Sequence, residues 1–332
     1  MKRFIQMRVT LKDIAAEVGV TVGTVSHVLN GHDDISEATK KKVLEAAEKL
    51  GYVSDGVAVS LRSGKTGTVA VIVPDISNFL ISRQIKAIES AVSKSGYTAV
   101  IFNTNEDPAT ERQAIRTAYG KRVDGILICP VQSFRGNNIA FLQKTGIPFV
   151  LFSRFFRDID TDYVCSDDVK GGYIAAQYLI DRGCRSSLFV GAAGELECSE
   201  DRYAGVCRAF RYAGLHAPVL ITADPKGGEG EAVADMYWRN RSGFDSMIIF
   251  SDIMAFDIEA AMLAKGYKSG NIPIISFDIS HAFMRLPFPH VSVGMVAESL
   301  PEEAFVILLR RMNGDSGNRI HRLIDVEVRE FH

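Results

Sequence analysis

Apolar residues fall into two different rhythms along this chain. From residue 10 to 52 they recur with helical spacing only, in LKDIAAEVGV, TVGTVSHVLNG and SEATKKKVLEAAEKLGY. Ser36 is placed to cap the third helix, Val43, Ala46, Ala47 and Leu50 form its apolar stripe, and Gly51 ends it. From Val69 onward strand-length apolar runs alternate with amphipathic helices: VAVIVPD, TAVIFNT, GILICPV, PFVLFSR, SLFVGAA, SMIIFSD and IPIISFD. Such continuous runs mark strands buried on both faces, and the helices between them predict parallel sheets. The expected fold is multidomain, an all-α helix-turn-helix region followed by an α/β core. That core is too long for one five- or six-stranded sheet, and a break near Val164 predicts two parallel-sheet subdomains. Between the two parts, VSDGVAVSLRSGKTG reads as a linker containing at most a short helix.

Two short helices locked at a steep angle need a small residue where they cross and a glycine at the turn. Ala15 and Gly19 supply both, while Ile14, Val18, Val20, Val25 and Val28 fall where the pair must face the third helix. If the second helix enters a DNA major groove, Thr21, Val22, Gly23, Ser26 and His27 face outward, with Asn30 near its end. Thr21 is a good N-cap, and the helix N-terminus that it opens can receive a phosphate. Thr24 and Ser26 suit phosphates or base edges, Val22 a thymine methyl, and His27 guanine N7 or O6 or a phosphate. The plainer alternative is a helical hairpin with a solvated His27. Gly23 costs the helix up to ~1 kcal/mol relative to alanine, which close approach to DNA would offset.

Composition narrows the class. At 332 residues and 47% hydrophobic content the chain is globular, long enough for two or three domains, and without an apolar run that could span a bilayer. Its basic N-terminus lacks the apolar stretch of a signal peptide, so a cytoplasmic location is expected; residues 1–6 read as an upstream start or a disordered arm. The five cysteines, Cys129, Cys165, Cys184, Cys198 and Cys207, are scattered and never form CxxC, and are expected to be free, largely core thiols. The net charge of -2 conceals a split, about +2 in residues 1–65 and about -4 in the rest, too mild to decide a partner. No nucleophile elbow, P-loop, dinucleotide fingerprint or metal-ligand spacing occurs, so neither catalysis nor a cofactor or metal is expected. The motif GGEG at 227–230 lacks phosphate-loop context.

Seven segments in order carry a further likeness: VTLKDIAAEVGVTVGTVSHVLNG, VLEAAEKLGY, VAVIVPDISN, KRVDGILICP, DVKGGYIAAQYLIDRG, DRYAGVCRAF and SFDIS. With them the chain resembles the lactose-repressor (LacI/GalR-type) family of bacterial transcription regulators. The resemblance implies a DNA-binding domain (8–53), a hinge helix and linker (54–66) and a core similar to periplasmic sugar-binding proteins (67–332). Within that core the N-subdomain is expected at about 67–163 and 292–322, and the C-subdomain at about 164–291 and 323–332. It also implies a homodimer or tetramer on a near-palindromic operator, with a small-molecule effector in the crevice. The chain shows no C-terminal heptad extension for a coiled-coil tetramer. Val22, Gly23 and His27 match the positions that usually set operator preference, and the commonly arginine third position is histidine here. The DNA-contacting set is completed by Thr10, Ala58 and Leu61, the last matching the hinge residue that enters the minor groove. Ser54, Asp55 and Gly56 depart from the usual hinge pattern.

Parallel sheets bind ligands outside the carboxyl ends of their strands. The residues there are Asp75, Ser77, Asn78, Leu80, Ile81, Ser153, Arg154, Glu200, Arg202, Ser251, Asp252 and Asp278. The resemblance assigns effector contact to Leu80, Ile81, Ser153, Arg154, Glu200, Ser251, Asp278 and Met295, and strand-end position adds Asp75 and Asn78. Glu200 stands where many sugar-responsive members have arginine, and Ser251 where asparagine is frequent. Fixed polar groups beside apolar walls suit a neutral sugar first and a sugar phosphate second, the latter through Arg154. Two structural alternatives accompany these: an Arg154–Glu200 ion pair across the cleft, and Asp278 as a helix cap. Asp252 is expected to cap a helix or pack at a subunit interface. The rival function is a soluble sugar-binding receptor without a regulatory DNA role.

Overall fold

The computed structural model describes residues 9–29, 31–32, 34–53, 64–132, 137–267, 272–279, 289–295 and 299–331. Asn30, Ala58 and Leu61, and with them most of the expected hinge, lie outside these residues. The chain forms two compact units, residues 1–66 and 67–332.

The first unit is built on three helices, α1 (Leu11–Val18), α2 (Val22–Leu29) and α3 (Glu37–Leu50). The Asp13 carboxylate accepts from both the amide and the hydroxyl of Thr10 at 2.7 and 2.8 Å, closing the entry to α1. Gly19 adopts φ 75°, which lets its amide return to the Ala15 carbonyl at 2.9 Å and turns the chain into α2. The Thr21 hydroxyl then accepts from the Thr24 amide at 3.1 Å. Ile14, Ala15, Val25, Val28, Val43, Ala46 and Ala47 make the core, so every helix contributes the stripe its periodicity predicts.

The second unit contains two six-stranded sheets. The first has the order β11-β5-β4-β3-β1-β2 and is parallel throughout: β1 (Thr68–Val73), β2 (Thr98–Asn103), β3 (Gly125–Ile128), β4 (Phe149–Phe152), β5 (Tyr163–Ser166) and β11 (His321–Ile324). The second has the order β12-β10-β9-β8-β6-β7: β6 (Ser187–Ala192), β7 (Val219–Ala223), β8 (Ser246–Ile249), β9 (Ile274–Phe277), β10 (His290–Met295) and β12 (Val326–Phe331). Among the described residues only the β10–β12 pairing is antiparallel. The expected subdomain cuts fall inside strands, the one at 322/323 inside β11 of the first sheet. A cut at 163/164 would divide β5, which belongs wholly to the first sheet, and a cut at 291/292 would divide β10, which belongs to the second. The chain passes between sheets after β5, between β10 and β11, and between β11 and β12.

Helices α4 (Phe79–Lys94), α5 (Pro108–Gly120), α6 (Asn137–Thr145) and α11 (Ser299–Met312) accompany the first sheet; α7 (Asp168–Asp181), α8 (Glu197–Tyr212), α9 (Gly230–Arg239) and α10 (Asp252–Ala264) accompany the second. The α7–α8 crossing is unusually close. A Cβ on Gly172 would lie 1.9 Å from the Arg202 carbonyl oxygen, and one on Gly205 would lie 2.0 Å from that of Val169. That approach seats Arg202 over the end of α7.

Candidate functional site

In the three-helix unit Thr10, Thr21, Val22, Gly23 and His27 are exposed, while Thr24 and Ser26 are half-buried. Thr21 and Thr24 also bond to each other, hydroxyl to hydroxyl at 3.0 Å. His27 has a partner that the sequence reading did not supply: its Nδ1 lies 3.0 Å from the Asp34 carboxylate. A carboxylate only accepts, so Nδ1 carries the proton and donates. In the neutral ring Nε2 is then an acceptor, suited to cytosine N4 or adenine N6; it becomes a donor to guanine or phosphate only when the ring is charged. Among the described residues, and apart from the backbone of α2 itself, an added Cβ on Gly23 would meet only the Thr21 hydroxyl, at 3.6 Å, so their packing does not require glycine there.

In the α/β unit the carboxyl ends of the strands open onto a cavity of about 330 Å³, within the range of small-molecule sites. Asp75, Asn78, Leu80, Ile81, Ser153, Arg154, Ser251, Asp278 and Met295 all line it. Some of these side chains have structural duties as well. Asn78 Oδ1 accepts from the Leu80 and Ile81 amides at the start of α4, Ser251 Oγ from the Met254 amide at the start of α10, and Asp75 from the amide and hydroxyl of Ser77.

Glu200 is not among the described lining residues. It sits on α8 two positions before Arg202, a rotation of about 200° that carries it to the opposite face. There its carboxylate meets Arg157 at 3.0 Å. The inward position belongs to Arg202, buried with Nε 2.8 Å from Asp168 and Nη2 3.4 Å from Asp278, and with Nη1 donating to the Phe250 carbonyl. Its guanidinium carbon is 4.8 and 4.5 Å from the ring centroids of Phe250 and Phe277, a cation–π contact on both rings. Arg154, expected opposite Glu200 if paired at all, is instead held by both oxygens of Glu106, at 3.0 and 2.8 Å.

Two other features bear on ligand chemistry. Gln84 Oε1 accepts from Ser153 Oγ at 2.8 Å while its buried Nε2 has no partner among the described residues, a donor ready for a ligand oxygen. Cys129 and Cys198 line the cavity, and burial pushes their thiols up to about 12 and about 11, which makes them neutral walls rather than nucleophiles. Asp278 is strained and desolvated: its φ is 100°, and burial raises its pKa to about 6 despite the opposing pull of Arg202.

Behind Asp278 lies a buried polar cluster. Ile279 donates its amide to Ser292 Oγ at 3.0 Å, and Ser292 in turn donates to Asp252 at 2.7 Å. Ser276 also donates to Asp252, and His290 Nε2 lies 3.2 Å from the same oxygen, with Nδ1 3.7 Å from Glu259. Burial opposes charge on His290, but its hydrogen bonds to Asp252 and Glu259 raise its pKa to about 9. Asp252, expected to cap a helix or pack at a subunit interface, is an internal anchor fully buried within this unit, and the cap of α10 falls to Ser251.

Two family models match. Residues 10–55 fit the bacterial regulatory proteins of the lacI family, and residues 66–300 fit the periplasmic binding proteins and sugar binding domain of the LacI family. This chain belongs to the LacI family. The HTH-type transcriptional repressor PurR of Vibrio cholerae serotype O1 is 30% identical over 319 residues, covering 93% of each chain. Among solved structures, the lac repressor dimer bound to operator and the anti-inducer ONPF has a TM-score of 0.85 at 18% identity, covering 97% of this chain and 98% of that one. The transcriptional regulator CelR in complex with cellobiose has a TM-score of 0.70 at 24% identity, with the same coverage. The LacI-family chain is thus a DNA-binding transcriptional regulator, and its relatives are regulators rather than enzymes. Among the described residues no helix is long and apolar enough to cross a membrane.

Proposed function

We propose that this LacI-family regulator acts in the cytoplasm as a homodimer on a near-palindromic operator. Helix α2 lies in the major groove, and a sugar or sugar phosphate in the α/β crevice changes operator affinity. The observation that carries the effector half is the arrangement around Arg202. A desolvated guanidinium between two rings, a strained carboxylate and the unpartnered Gln84 amide converge on one cavity. Such groups offer both acceptors and donors to sugar hydroxyls, while Leu80, Ile81 and Met295 give apolar contact.

The working segments are 8–53 for DNA reading, 54–66 for the hinge with Leu61 as a minor-groove wedge, and two lobes in the core. One lobe comprises 67–166 with 299–324, the other 167–295 with 326–331. Effector binding between the lobes favours one closure state, and that preference is the free energy available to alter operator affinity. Glu200 is left out of the effector set, and Arg202, Gln84 and Phe250 enter it.

The test is fluorescence anisotropy of promoter fragments with a panel of sugars and sugar phosphates. Sequence-specific binding that falls steeply with salt and is shifted by one panel member is expected. No specific binding under any condition would favour the sugar-binding receptor.

A further inference from the structure

We infer that Glu106 closes this crevice to anions and restricts the effector to an uncharged or cationic polyol. The inference rests on the crevice being an effector site and decides between the two ligand classes left open above. A phosphate group needs a cation whose donors are free to bind it, ideally the two parallel donors of a guanidinium. Arg154 is the obvious candidate, yet both of its Nη atoms are already on the Glu106 carboxylate, and Nη1 also lies 3.4 Å from the Pro130 carbonyl. Arg202 is committed in the same way to Asp168, Phe250 and Asp278. Lys226 lines the cavity but is exposed, where water and salt screen it. A phosphate reaching Arg154 would compete with Glu106 for a guanidinium whose charge that carboxylate already neutralises, and would sit beside it as a second anion.

The ion pair is held by the backbone on both sides. Asn105 and Glu106 are consecutive non-glycine residues at φ 55° and 59°, and Ser153, immediately before Arg154, is at 62°. Left-handed backbone at such residues persists only where its surroundings impose it. Here the Glu106 amide donates to the Pro74 carbonyl at 2.9 Å, and Asn103 Nδ2 donates to Asn105 Oδ1 at 2.7 Å. Each partner is therefore delivered by a constrained turn at a strand end. Among the described lining residues carboxylates outnumber cations, a balance that attracts hydroxyl donors or a protonated amine and repels a phosphate.

Thermal unfolding of the full chain, titrated with inorganic phosphate at constant ionic strength, tests the inference. Wild type should respond to phosphate no more than to chloride. Glu106→Gln should gain saturable phosphate stabilisation, with affinity about tenfold or more above wild type, and adding Arg154→Gln should abolish the gain. Saturable phosphate binding by wild type that Arg154→Gln removes would overturn the inference, as would a folded Glu106→Gln that gains nothing. A second measurement needs no variant: neutral hexoses are compared on wild type with their 6-phosphates and 2-amino derivatives. In each set that stabilises the protein the phosphate ester must be the weakest, and a tighter ester refutes the role of Glu106. Failure of the underlying effector reading looks different, since then no sugar of any charge shifts either the melting temperature or operator affinity.

Discussion

Asp278 is a carboxylate in surroundings that work against its charge, with a pKa raised to about 6 by burial. Sugar hydroxyls would donate to its ionised form, so effector binding should expel a proton below that value. Effector affinity is therefore expected to weaken about tenfold from pH 7 to pH 5, and Asp278→Ala should lose the pH dependence and the response while retaining operator binding. Calorimetry in two buffers of different ionisation enthalpy checks this, and a pH-independent affinity in wild type would exclude Asp278 as an acceptor. His290 makes the opposite kind of prediction. Its pKa of about 9 in the fold exceeds the ordinary 6.5, so the native state holds a proton that the unfolded chain releases. That stabilisation is complete below pH 6.5 and is lost as pH rises through about 9, by up to a few kcal/mol. Urea midpoints between pH 6 and 10 should show the decline, and His290→Gln should flatten it. Residues following apolar strands could be read from the sequence because a parallel sheet fixes where its strand ends lie. Glu106 could not, because a left-handed turn after β2 turns it onto Arg154 and no periodicity signals such a turn. The exchange of Glu200 for Arg202 was a matter of helix phase. Gly205, three residues after Arg202 and pressed against α7, carried the signal for which face turns inward.

At the scale of elements, α2 poses the sharpest question. Its glycine lowers helix stability by up to ~1 kcal/mol, and an added methyl would meet only the Thr21 hydroxyl at ordinary contact distance. Gly23→Ala should therefore raise the melting temperature of the three-helix unit. If the bare backbone is needed against DNA, the same substitution should weaken operator binding, so the two effects move in opposite directions. Stability and affinity rising together would make Gly23 incidental. The helix-turn-helix was legible because its signals are local: a cap, a small crossing residue, a glycine turn and three apolar stripes. The seven long apolar runs were legible for a related reason, six of them being strands covered on both faces; the seventh, β2, lies at a sheet edge with Ile101 exposed, so its run does not mark two-sided burial. The strands that escaped notice are short or exposed. β5 is YVCS, β11 is HRLI with three exposed residues, and β7 lies at a sheet edge with Val219 and Leu220 in solvent. β10 and β12 form the antiparallel margin of the second sheet, where one half-covered face dilutes the apolar pattern.

For the molecule as a whole, the claim that a crevice ligand governs DNA affinity is a claim about coupling free energy, and coupling is reciprocal. If the effector changes operator affinity by some factor, saturating operator must change effector affinity by the same factor, expected between about 5- and 150-fold. Anisotropy titrations of labelled operator with and without effector give one side of this cycle, and calorimetric titrations of effector with and without operator give the other. Both must be run at one salt concentration, because phosphate contacts make any DNA affinity salt-dependent. Equal factors would establish a single two-state linkage between crevice and operator. Unequal factors would mean that a third equilibrium intervenes, and the dimer is the first to suspect, since effector that shifted assembly would alter operator affinity through protein concentration. Repeating the cycle at several protein concentrations separates the two, because direct linkage is independent of concentration once the dimer is saturated. Asp278→Ala should bring both factors to one together. If only the effector side collapses while the ligand still moves operator affinity, the controlling site lies outside this crevice.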